Sequence, residues 1–150
     1  MSMEICVLSD AQLGSIAEWQ HAINVEGFPL RLSSDKPLAN LAGFLPAHLN
    51  DKLSGFECHF IQLSDITSTY PEIEFGHAWK YAMALNWIGN FNEMQAAWMA
   101  AAAYARATNG IVFDEEAGQL YDGAQATQAV QDMVREIPNL EAMIRDLTQR

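Results

Sequence analysis

The sequence predicts an α+β fold: a mostly antiparallel sheet with helices packed on one face, in a single two-layer domain. Three observations carry this. Several short runs with the two-residue period of a strand follow one another without intervening helices. Two longer segments have the 3.6-residue apolar period of a helix, and residues 111–121 read as a tight hairpin. A doubly wound parallel sheet would need a crossover helix between successive strands, more helices than this chain has. The 150 residues match the usual size of one domain and suffice for a core without disulfides or metal.

In order, residues 4–8 are a short β-type run. Ser9 with Gln12 three positions on has the form of a capping box, and Leu13, Ile16, Ala17 and Ile23 share one helical face. A first helix is therefore expected over 10–25, stopped by Gly27 and Pro29. Phe28, Leu30 and Leu32 alternate with Pro29, Arg31 and Ser33, and the proline confines this run to a strand start or a sheet edge. From 34 to 55 the period fails: Pro37, Gly43 and Pro46 break up Leu38, Leu41, Phe44 and Leu45, which predicts an irregular covering loop.

Strand alternation resumes over 56–63, with Phe56, Cys58 and Phe60 facing away from Glu57, His59 and Ile61. A helical turn over 65–70 ends at Pro71. Over 79–87, Trp79, Tyr81, Met83, Leu85 and Trp87 alternate with Lys80, Ala82, Ala84 and Asn86, so the large face is expected in the core and the small face against something else. Asn90 with Glu93 caps a helix whose expected buried stripe is Met94, Ala97, Trp98, Ala101, Ala102 and Ala105, and Asn109-Gly110 supplies its left-handed closing residue. The hairpin turns at Asp114, Glu115 and Glu116. Residues 125–150 are expected to be helical, with a break or kink at Pro138.

Nineteen acidic side chains face eight basic ones, a formal net charge of −11, which argues against nucleic acid or an anionic membrane as partner. The acids also fill windows free of bases. Glu57, Asp65, Glu72 and Glu74 stand between Lys52 and Lys80; Asp114, Glu115, Glu116, Asp122 and Asp132 stand between Arg106 and Arg135. Such one-signed stretches speed encounter with a basic partner, so Glu72, Glu74, Asp114, Glu115, Glu116 and Asp122 are the expected partner-binding residues. Residues 1–8 lack the basic start and apolar stretch of a secretory signal, and no apolar run reaches the ~20 residues of a membrane span, so a cytoplasmic location is expected. Cys6 and Cys58 lie in strand-like runs and are expected to be free, buried thiols.

Catalytic motifs are missing: no phosphate-cradling glycine loop, no glycine-flanked serine elbow, no paired CxxC and no His-Glu-x-x-His. No cofactor and no metal are expected. Cys58 and His59 are adjacent on a strand and point to opposite faces, so they cannot share an ion. The alternative reading is a small-molecule or metal-dependent enzyme with a pocket under the 34–55 loop, using His48, His59 or His77 as acid or base.

Residues 100–121, an alanine-rich helix that ends in Ala-Thr-Asn-Gly and runs into Ile-Val-Phe-Asp-Glu-Glu-Ala-Gly, resemble the closing half of several small bacterial α+β families. Some of these are uncharacterised, and others are immunity proteins that neutralise toxins of contact-dependent or secreted systems. The resemblance transfers no functional residue. It implies a small, acidic, cytoplasmic protein without catalytic residues that occludes a basic toxin domain.

Overall fold

A computed structural model describes residues 3–149. The elements are β1 (Met3–Ser9), α1 (Ile16–Val25), β2 (Leu30–Leu32), β3 (Ala42–Leu49), β4 (Lys52–Ile61), α2 (Leu63–Thr69), β5 (Tyr81–Trp87), α3 (Phe91–Thr108), β6 (Ile111–Asp114), β7 (Gln119–Asp122) and α4 (Gly123–Thr148). The strands form one antiparallel sheet in the order β2-β3-β4-β5-β1-β6-β7. This is the α+β architecture expected from the sequence.

One sheet face carries the main core. Ile5, Val7, Leu45, Ala47, Leu49, Phe56, Cys58, Met83, Leu85 and Trp87 alternate onto it and meet α1, α3 and α4. Trp19 of α1 is wholly buried there, its Nε1 donating to Ala100 O at 2.9 Å and its ring edge-on to Phe56 and Tyr104. The expected one-sided stripe on α3 is instead a fully enclosed helix: every residue from Ala96 to Ala105 is buried. The reason is that α3 lies on the sheet with α1 and α4 also packed against it, and its alanines let all three approach closely. A Cβ on Gly123 would sit 2.7 Å from Arg106 Cα, so the start of α4 depends on glycine to reach α3.

The other sheet face has a smaller cover. Ile66 of α2 and Phe75 of the following loop pack on Cys6, Leu8, Ala82, Ala84 and Phe113. The small face of the 79–87 run thus meets a second layer, as its alternation predicted. Regular pairing starts only at Tyr81, because Trp79 turns into this layer and donates its Nε1 to Phe75 O.

Three sequence expectations need correction. The first helix begins at Ile16, not at 10: Ser15 caps it by accepting from Glu18 N, while Ser9 closes β1 and donates its hydroxyl to Ala11 O. The strand register of β1 takes up Ser9, which leaves the helix to start six residues later. Residues 34–55 are not a loop but chiefly the β3–β4 hairpin, turned by Asn50 and Asp51, both with left-handed φ (51° and 65°). Gly43, Pro46 and Gly55 hide the strand period, yet Pro46 lies opposite Gly55 in the ladder and Leu45, Ala47 and Leu49 keep strict alternation into the core. Finally, Pro138 does not break α4, which continues to Thr148; the proline and Val134, whose carbonyl loses its N–H partner, are both exposed to water. Position 150 lies outside the described residues.

Candidate functional site

Strand order builds a polar row on the second sheet face, beyond the reach of α2. Glu57 of β4 pairs with Asn86 of β5, and Asn86 pairs with Glu4 of β1. Successive side chains alternate, so Glu4 and Cys6 share this face. Cys6 pairs with Phe113 of β6, which brings Glu115 just past that strand to the same place. Phe44, opposite Glu57 on β3, closes the other end; its ring lies over Gly55 and remains 55% exposed.

The centre of the row is tightly coupled. Asn86 Nδ2 donates to Glu4 Oε1 at 2.9 Å, and the Cys6 thiol donates to Glu115 Oε1 at 3.5 Å. Burial first, then its hydrogen bond to Glu4 and the Glu4 charge, push the Glu115 carboxyl up to about 8. At neutral pH Glu115 therefore holds its proton, directed at Glu4. The Cys6 thiol is pushed far up by burial and by the nearby carboxylates of Glu115 and Glu4, so it is no nucleophile. Asn86 Oδ1 is buried without a partner. Among the described residues, Glu4, Cys6 and Glu115 are the group whose ligand atoms lie close enough together, within 4.8 Å, to hold a metal ion. An ion would have to displace both the thiol proton and the carboxyl proton that already bind the three together.

The expected partner-binding residues divide into two sets. Asp114 Oδ1 accepts from the Glu116 and Ala117 amides and shapes the hairpin turn, and Asp122 caps α4 in a reciprocal capping box with Gln125. Both carboxylates are committed to local structure. Glu115 folds back onto the row, while Glu116, Glu72 and Glu74 are exposed. The 70–74 segment lies against the hairpin: the Tyr70 ring is edge-on to Phe113 at 5.0 Å, and Ile73 Cδ1 approaches Gly118. The two acid-rich windows thus meet at one edge of the row.

Sequence reasoning missed Glu4, Phe44, Glu57 and Asn86 as neighbours. Each stands on the polar phase of a strand, but only the order β3-β4-β5-β1 aligns them. The histidines are dispersed. His48 Nδ1 meets Ser33 Oγ, His77 bonds Asp10 at 2.8 Å and stacks on Trp79, and His59 lies half-buried on the row's face between Ala42 and Ala84. Leu38, Leu41, Leu45, Ala47 and Leu49 of the 34–55 segment fill the core while Phe44 and Leu53 are exposed, and the depression beside Ser33–Lys36 is about 320 Å³ and lies at the surface. Cys6 and Cys58 are free, buried and on opposite faces of the sheet, with Cys58 pushed up to about 12 by burial.

No protein-family model, no curated protein and no solved structure matches the chain. Fold and site together define an α+β protein with a carboxylate row on an antiparallel sheet. Among the described residues no helix is long and apolar enough to cross a membrane.

Proposed function

We propose that the chain is an acidic binding protein that docks a basic protein partner, such as a toxin domain, on the open half of its second sheet face. The observation that carries this reading is the row Phe44–Glu57–Asn86–Glu4, continued by Glu115 and rimmed by Glu72, Glu74 and Glu116. Its chemistry suits lysine and arginine: carboxylates on a rigid strand scaffold with one exposed aromatic ring, on which a cation can stack. The exposed rim acids would steer encounter, and Phe44 with Glu57 would supply the short-range contacts that slow dissociation.

A binding titration against the product of a neighbouring gene tests this. Replacing Glu57, Glu72, Glu74 and Glu116 together by glutamine should slow association roughly tenfold at low salt, with the difference vanishing as salt rises. Phe44→Ala should instead speed dissociation. An acidic partner, or an unchanged salt-dependent rate in the amide variant, would sink the reading.

A further inference from the structure

A small pocket lies where β5 hands over to α3. The strand ends at Trp87, and Asn90 then caps the helix by accepting from Glu93 N at 2.8 Å, which sets Glu93 in the first turn. The pocket measures about 160 Å³, room for one side chain rather than for a helix or a strand, and Phe44, Glu57, Asn86, Trp87, Ile88 and Glu93 border it. No lysine, arginine or histidine is among its bordering residues. The larger depressions at the surface each include one: Arg106, Lys52, His77 and Lys36.

Three acceptors meet at this pocket without a cation between them. Among the described residues the Glu57 and Glu93 carboxylates form no ion pair. Asn86 Oδ1 is sealed from water and has no hydrogen-bond partner. The other half of that amide is committed, since Nδ2 donates to Glu4 on the β1 side; Oδ1 diverges from it toward the β4 side, where Glu57 is the register partner of Asn86. A buried acceptor without a donor costs stability, and a donor entering the pocket is placed to fill it. Phe44 and Ile88, 55% and 71% exposed, give the pocket an apolar lip.

We infer that this pocket takes the ammonium group of one lysine side chain, the anchor by which the basic partner is held. The inference rests on the proposed function and names the group that the row receives. The acceptors favour ammonium over guanidinium. They come from three elements, β4, β5 and α3, and an ammonium turns three donors in three directions, whereas a planar guanidinium suits two parallel bonds to one carboxylate. The lysine stem then lies along Phe44 and Ile88 while its head is paired.

Titrating Nα-acetyl-lysine N-methylamide into the isotope-labelled full chain tests this by NMR. The Asn86 side-chain amide and the backbone amides of Ile88 and Glu93 should shift and saturate. The norleucine analogue, which keeps the stem and lacks the nitrogen, should produce no saturable shift, and the arginine analogue should bind more weakly than lysine. Glu57→Gln and Glu93→Gln should each weaken the lysine probe roughly threefold, with the thermal midpoint unchanged because neither side chain is part of the core. Absence of saturable shifts, equal binding of norleucine, tighter binding of arginine, or indifference to both glutamine variants would overturn the inference. The titration uses no protein partner, so such a failure leaves the proposed function to be decided by the salt dependence of association.

Discussion

Glu115→Gln should flatten the loss of stability that the native protein suffers as pH rises from about 5 to about 8. Glu115 holds its proton in the folded state up to about 8, whereas the unfolded chain releases it near the ordinary value of 4.5. Over this interval the folded state binds the extra proton. Its stabilising contribution is complete below the unfolded value and is lost as pH climbs through the folded one. At about 1.36 kcal/mol per unit the gap sets a ceiling of roughly 5 kcal/mol, which solvent screening at this partly exposed side chain reduces to about 1–2 kcal/mol. Glutamine keeps the shape and can still donate to Glu4, so the variant retains the contact without the titration. Urea unfolding of both proteins across this pH range measures the difference. The general self-repulsion of a chain of net charge −11 gives both a common slope, and only the divergence belongs to Glu115. Parallel stability curves would refute the retention of the Glu115 proton.

Trp19→Ala should cost about 3–5 kcal/mol in denaturant unfolding, because the ring is fully enclosed and its N–H bonds Ala100 O; a loss under about 1 kcal/mol would contradict the packing of α1 on α3. Asp122→Ala should cost about 1 kcal/mol through loss of the α4 cap, while Asp122→Asn keeps most of it; equal losses would show that charge rather than the capping bond matters. Both cysteines should react with a thiol reagent only at the rate of global opening, since burial raises both thiols, and a fast-reacting cysteine under native conditions would count against the strand assignment.

The α+β class, the closing hairpin, the Asn90 cap and Asn109 closure of α3, the edge position of β2 and the free thiols were legible in the sequence, because each rests on local chemistry: a side-chain period, a capping oxygen, a proline without an N–H. The β3–β4 hairpin was not. Its glycines and proline break the period, while the ladder across Pro46 and Gly55 is a property of two strands together. The displacement of the α1 cap from Ser9, where the sequence placed it, was equally non-local, since pairing of β1 with β5 through Ser9 and Tyr81 carries the strand to Ser9. Composition alone made the chain acidic and marked Glu115 as a charged turn residue. Tertiary structure returned that carboxyl to β1, beside Glu4 and Cys6, residues more than a hundred positions away, where burial and a neighbouring carboxylate make it keep its proton. A period or a cap is decided within a few residues of chain, but a pKa and a binding row depend on which strands lie side by side, and that is decided by how the whole apolar surface is buried.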